Sequence, residues 1–304
     1  MKKNLRYCCL PLIVLLSLAS CQTMETVADV ATVIGQGTGA ISSTQANSIR
    51  RTAQAVSRSA EDFTPEQEYY IGRSVGAVVL SKYKSHDILP VNQYVNVLGQ
   101  TLAQVSDLPQ IFGGYHFLVL DSDDINAFAT PSGLVFVTRG LLRCCRNEDD
   151  LAAVLAHEIG HIERRHGMEA IEKARITEAL TTIAVEGAKT LGSREAAQLT
   201  RTFGGAIGDI TNTMINKGYS RASEYEADGV AVTLLRRVGY DPNGLVEMLT
   251  VMKRNLKPGG LDFAKTHPAP DDRIAELRKS GLGRTDVRPA AARQKRFQQI
   301  LGNI

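Results

Sequence analysis

The chain has 304 residues, 43% hydrophobic and 22% charged, with no tryptophan. That is an ordinary globular balance, long enough for one sizeable core with accessory elements, and no repeat or long low-complexity tract is visible. Basic residues number 35 and acidic ones 32, but Lys2, Lys3 and Arg6 lie in a segment expected to be removed. The remainder is balanced, which gives no basis for a nucleic-acid partner.

Residues 1–20 read as a secretory signal. A basic start is followed by an apolar stretch from Leu10 to Leu18, too short to span a bilayer. The stretch ends Leu18-Ala19-Ser20-Cys21, which looks like a bacterial lipobox, so Cys21 is expected to carry the lipid. Gln22 after the cysteine resembles the outer-membrane default. Cys8 and Cys9 would leave with the signal. Inside the fold only the neighbours Cys144 and Cys145 remain, read as small buried side chains, and no disulfide framework is implied.

Residues 21–62 are expected to form the anchor and a tether, small and polar, with a weak helical stretch from Ala46 to Ser59. Thr64-Pro65-Glu66-Gln67 has the form of a helix start with a capping box. Leu89 to Val105 predicts a second helix. Tyr115 to Leu120 is strand-like, and Leu134 to Thr138 is a second short strand after the Pro131-Ser132-Gly133 turn. From Asn147 onward the pattern is helical, with breaks near Gly167, Gly192, Gly218, Gly239 and Pro258-Gly259-Gly260. Helices, a small sheet and then helices make the class α+β, mainly helical. Residues 168–218 contain no run of 18 apolar residues, so a membrane hairpin is not expected. The expected domains are a catalytic unit over 63–282 and a C-terminal tail over 283–304.

The segment from Leu151 to His161 ends His157-Glu158-Ile159-Gly160-His161. Asn147 can cap its helix, with three acids in the positive first turn. Four residues separate the histidines, which sets them about 40° apart around the axis and roughly 6 Å along it. Two imidazoles so placed can grip one zinc ion. Glu158, about 100° from His157, lies beside the metal position. It can take a proton from a water whose pKa zinc lowers from about 15.7 to roughly 7. Ala153 and Gly160 leave room for the ion and a neighbouring helix.

A zinc hydrolase needs a third protein ligand and one open position. His166 lies about 140° from His161 around the helix, so it is expected to point elsewhere and to have a structural role. The sequence Ser220-Arg-Ala-Ser-Glu224-Tyr-Glu226-Ala-Asp228 is the better source. Glu224 and Asp228 share a face with Ala227, Ala231, Leu234 and Leu235, the buried stripe of an amphipathic helix, while Glu226 falls on the wetter side. A carboxylate on a buried face needs a positive partner. Glu224 is therefore the expected third ligand, and Asp228 is placed to bond a ligand histidine's free N–H.

These elements together resemble the gluzincin metallopeptidases of family forty-eight, over roughly residues 64–280. Asn126-Ala127-Phe128-Ala129 before Gly133 to Thr138 resembles the family's strand before the active-site helix, and Thr266-His267-Pro268 with Arg273 resembles its late His-Pro…Arg element. The resemblance implies that His267 and Arg273 face the zinc. His267 would cap its open position or bind the oxyanion, and Arg273 would support that charge. His86 and His116 stay unassigned. Leu134 to Thr138 is expected to be an edge strand that pairs with extended substrate. The membrane helices of some family members are missing.

The expected function is hydrolysis of peptide bonds by a zinc endopeptidase with one zinc per chain, lipid-anchored on the periplasmic side, acting on misfolded or misassembled envelope proteins. A latent chaperone-like binding protein and a zinc hydrolase of cell-wall peptides are the alternatives.

Overall fold

The computed structural model describes residues 21–59, 63–170, 172, 218–255, 266–267, 270–284 and 288–304. The expected signal, the breaks at Gly192 and Pro258-Gly259-Gly260 and most of the 168–218 stretch lie outside the described residues. Contacts divide the chain into two units, residues 1–62 with 171–206 and residues 63–170 with 207–304. Among the described residues no helix is long and apolar enough to cross a membrane.

In the first unit the expected tether is mostly helical. Helices α1 (Cys21–Gly37) and α2 (Ser43–Ser59) bury Thr32 and Ala46, and Arg50 Nε donates to Asp29 Oδ1 at 3.0 Å.

The second unit opens with α3 (Pro65–Lys82). The Thr64 hydroxyl accepts from Gln67 N and the Gln67 side chain accepts from Thr64 N, so both halves of the capping box form. Helix α4 (Leu89–Ala103) follows, two residues shorter than expected. Strands β1 (His116–Leu120), β2 (Ala127–Ala129) and β3 (Leu134–Thr138) form one sheet in the order β1-β3-β2. β3 pairs in parallel with β1 and antiparallel with β2. The expectation of an edge strand at Leu134 to Thr138 is therefore corrected. β3 is central, its backbone used on both sides, and the edge nearest the later helices is β2. β2 has only three residues, too few to show an alternating pattern.

Beyond the sheet run α5 (Arg139–Cys144), α6 (Glu148–Glu163), α7 (Arg221–Val238), α8 (Asn243–Asn255), α9 (Pro270–Lys279) and α10 (Ala291–Leu301). The fold is α+β and mainly helical. Asn147 caps α6 by accepting from Asp150 N at 2.8 Å, and Ser220 caps α7 by accepting from Ser223 N. α6 runs through the core, with every residue from Glu148 to Ile162 buried. α7 crosses it where Gly160 meets Ala227. A Cβ at residue 160 would lie 2.8 Å from the Ala227 carbonyl oxygen, so only glycine allows this approach. α7 ends at Gly239, whose φ of 77° suits the left-handed cap.

The first turn of α6 is tied down from several elements. Glu148 is fully buried and accepts from Tyr94 Oη at 2.7 Å, from Tyr240 Oη at 2.6 Å and from the Arg296 guanidinium of α10. Burial alone would raise its carboxyl, yet the bonds from those three residues hold it below its ordinary range. Phe297 and Leu301 of α10 are buried in the same core. Removing the cation from a buried carboxylate is costly, although the half exposure of the Arg296 side chain reduces the effect. Arg296→Met is expected to lower stability by about 1–3 kcal/mol in urea unfolding, with the metal site's composition unchanged.

Candidate metal centre

His157, His161, Glu224 and His267 each offer one ligand atom, and these four atoms all lie within 4.8 Å of one another. All four side chains are buried. α6 supplies the two histidines of the helical pair, α7 supplies Glu224 from its first turn, and His267 comes from the segment before α9. His157 Nε2 is 3.1 Å from His161 Nε2, 3.4 Å from Glu224 Oε2 and 3.3 Å from His267 Nδ1. His161 Nε2 is 3.5 Å from Glu224 Oε1, and His267 Nδ1 is 3.2 Å from either Glu224 oxygen. Ligands about 2.0–2.1 Å from a tetrahedral zinc stand about 3.3 Å from each other, so the set fits that ion in both chemistry and spacing.

The groups around the cluster orient it. His157 Nδ1 lies 2.9 Å from Asp228 Oδ1, which keeps that proton on Nδ1 and leaves Nε2 facing the cluster. Arg273 is buried, donates to both Asp228 oxygens at 2.8 and 2.6 Å, and its Nη1 stands 3.0 Å from Glu224 Oε2. Its guanidinium thus faces Glu224 of the cluster and Asp228 behind it. Thr266 Oγ1 donates to Asn126 Oδ1 at 3.1 Å, and His267 Nε2 sits 3.3 Å from the Ala127 carbonyl. The two segments singled out around Asn126 and Thr266 are therefore joined, through β2.

Glu158 is buried, and neither of its oxygens has a hydrogen-bond partner among the described residues. Oε1 stands 3.6 Å from His267 Nε2. Burial pushes this carboxyl up. A carboxylate held dry and unbonded beside four ligand atoms is a poor structural element and a good proton acceptor. Burial also pushes His161 well below its usual range. Glu224 is held well below the usual carboxylate range, because the charges of His267 and Arg273 outweigh the effect of burial.

His166 differs from expectation. The helix ends at Glu163, and Arg165 takes a positive φ of 56°, so the angular extrapolation fails. His166 turns back, with its Nδ1 2.9 Å from His161 Nδ1 and its Nε2 3.4 Å from Glu226 Oε2. It stands outside the four-atom cluster but touches one of its members. Sequence reasoning also passed over Tyr219, whose ring stacks on His161 at 4.4 Å and 23°. Its place directly before the Ser220 cap was the available signal. Cys144 and Cys145 are both buried, as small core side chains would be. His116 is exposed and His86 is on the far side of the sheet edge from the cluster, paired with Asp121 at 3.7 Å.

The pH response of metal binding follows from His157. Burial and the charge of Arg273 push it down, but bonds to Asp228 and Glu224 outweigh them and raise it to about 9. Below that pH an entering ion must displace a proton. Zinc affinity, measured by chelator competition, is expected to rise about tenfold per pH unit up to about pH 9 and then to level off. A pH-independent affinity between 6 and 8 would contradict this.

Comparison with known proteins agrees with the geometry. Residues 91–280 match the profile of Peptidase family M48. The chain is 34% identical over 196 residues to the beta-barrel assembly-enhancing protease of Yersinia pestis, covering 62% of this chain and 38% of that protein. It is 31% identical over 215 residues to the protein of the same name from Escherichia coli K12, covering 69% and 42%. It is 31% identical over 195 residues to the mitochondrial metalloendopeptidase OMA1 of Schizosaccharomyces pombe, covering 62% and 52%. It spans about two fifths of the length of the first two relatives and about half of the third. With the profile matching more than half of its residues, this chain belongs to Peptidase family M48, a family of zinc metallopeptidases.

Proposed function

We propose that the chain is a zinc-dependent endopeptidase, holding one zinc ion through His157, His161 and Glu224. Glu158 carries the reading, as a buried carboxylate with neither oxygen hydrogen-bonded among the described residues, set against the ligand atoms. Zinc, when bound, would acidify a water and polarise the scissile carbonyl. Glu158 takes the water's proton and passes it to the leaving amine. Asp228 holds His157 in one tautomer and Arg273 balances the two acids. The outer backbone edge of β2, where the Ala127 carbonyl meets His267, is where an extended substrate can lie by strand addition, in place of β3.

The finer assignments rest on the sequence and on the relatives' names. Cys21 is the lipid attachment site, after a signal over 1–20. Residues 21–62 link it to a catalytic unit over 63–282, followed by residues 283–304. The location is the periplasmic face of the outer membrane. Misassembled envelope proteins are the substrates, in keeping with two relatives named for beta-barrel assembly.

Glu158→Gln is expected to keep zinc and lose about a hundredfold or more of casein cleavage, while a chelator abolishes cleavage by the parent protein. Parental activity in the variant would remove Glu158 from the mechanism.

A second reading, a latent state, is favoured by His267. Its Nδ1 completes a set of four ligand atoms, and four protein ligands close a zinc site to substrate. Peptide hydrolysis then requires His267 to leave. His267→Ala is expected to retain zinc and cleave casein severalfold faster than the parent. Slower cleavage would make His267 a participant in the reaction.

A further inference from the structure

His161 is engaged on both of its ring nitrogens. Nε2 faces the ligand atoms, 3.1 Å from His157 Nε2 and 3.5 Å from Glu224 Oε1. Nδ1 points the other way and meets His166 Nδ1 at 2.9 Å, and His166 Nε2 in turn lies 3.4 Å from Glu226 Oε2. We propose that His166, backed by Glu226, is a positioning residue that holds His161 in the tautomer and orientation the metal needs. This rests on the zinc reading above and adds two residues to it, neither of which offers an atom to the ion.

The proton positions follow from the contacts. A histidine binds a metal through a bare nitrogen, so the proton of His161 belongs on Nδ1 and not on Nε2. That N–H donates to His166, whose Nδ1 must then be bare and whose own proton is left on Nε2. Nε2 is the atom that faces the Glu226 carboxylate. In this arrangement every donor in the row meets an acceptor, and the lone pair of His161 is aimed at the cluster. The reverse arrangement sets a bare nitrogen of His166 against a carboxylate and places a proton where the ion belongs. His157 is held in the matching way by Asp228, without an intermediate.

The backbone bends to make this contact. α6 ends at Glu163, and Arg165 has a φ of 56°, the only positive φ at a non-glycine residue among the described residues. That conformation is disfavoured for a residue with a side chain, so it persists where surrounding contacts hold it. Arg165 N donates to the Ile162 carbonyl at 2.9 Å, and the Arg165 guanidinium pairs with Glu68 of α3. The turn brings His166 back onto His161, whereas a continued helix would carry it about 140° away.

The row is dry at one end and wet at the other. His166 is 3% exposed, and the Tyr219 ring stacks on His161 at 4.4 Å and stands 5.8 Å from His166, which keeps water from the bond between the imidazoles. The Glu226 side chain is 60% exposed, so its hold on His166 is the weaker of the two links.

The test reads the metal in the full chain and does not depend on cleavage. His166→Phe keeps a ring of similar size and removes both nitrogens. It is expected to weaken zinc binding about tenfold to a hundredfold in chelator competition at fixed pH, the usual effect of losing such a partner. In His166→Asn the amide oxygen can stand near the place of the lost Nδ1 and accept from His161, so affinity should stay within about threefold of the parent. Glu226→Ala should cost about threefold, in keeping with its exposure. The visible absorption bands of the cobalt-loaded protein should shift in His166→Phe and return in His166→Asn, a pattern that lost packing alone does not give. Nitrogen NMR of the zinc-loaded parent should place the proton on Nδ1 of His161 and on Nε2 of His166. Melting temperatures of the ion-free variants establish that they fold. Should His166→Phe fail to fold, the other two variants and the proton positions decide.

Parental affinity and cobalt bands in folded His166→Phe, a loss in His166→Asn as large as in His166→Phe, parental affinity in Glu226→Ala, or a proton on Nδ1 of His166 would overturn the assignment. A parent chain that takes up neither zinc nor cobalt would instead sink the zinc reading itself, and this inference with it.

Discussion

The close crossing of α6 and α7 at Gly160 and Ala227 is the constraint on which the site depends. Gly160 sits between the two histidines' positions in sequence, one residue before His161. Ala227 sits between Glu224 and Asp228 on the facing helix. The contact that sets the distance between the two backbones therefore also sets the distance between the imidazoles and the carboxylates. A side chain at residue 160 would have to displace the Ala227 carbonyl, and Glu224 would move with it. Ser220 starts α7 so that Glu224 falls in the first turn, where unpaired N–H groups favour a carboxylate. The cap, the close approach and the ligand all follow from one short stretch of chain.

Local signals in the sequence carried much of this. The Thr64 capping box and the Asn147 cap are contacts within three residues, so residue type and spacing determine them. The spacing of His157 and His161, and of Glu224 and Asp228, is likewise internal to a helix. Periodicity also separated buried Glu224 from Glu226, whose side chain is 60% exposed. What escaped depends on contacts between distant segments. Whether Leu134 to Thr138 lies at an edge or in the centre is decided by β2, a strand of three residues with no pattern of its own. Extrapolating α6 past Glu163 misplaced His166, because the chain turns at Arg165, ahead of the break expected near Gly167. The anchoring of Glu148 by Arg296 joins residues 148 positions apart in the chain, and nothing near either one signals it.

Electrostatic balance shows why so many charged groups can share a dry interior. Glu158, Glu224 and Asp228 are buried together, and Arg273 is the arginine buried among them. With all three acids ionised, the Arg273 guanidinium offsets one of three negative charges, and a low-dielectric interior calls for further positive charge or protons. Without an ion the protein offsets this with protons. His157 is raised to about 9 and so carries a charge at neutral pH, and the Glu158 carboxyl is pushed up by burial. A divalent cation would supply both missing charges at once and release the His157 proton. Glu158 would then be left ionised beside the cation, which is the state a proton acceptor needs. The same shortage of positive charge that makes the ion-free cluster hold protons thus favours a doubly charged ion over a singly charged one. It also links occupancy of the site to the protonation of Glu158.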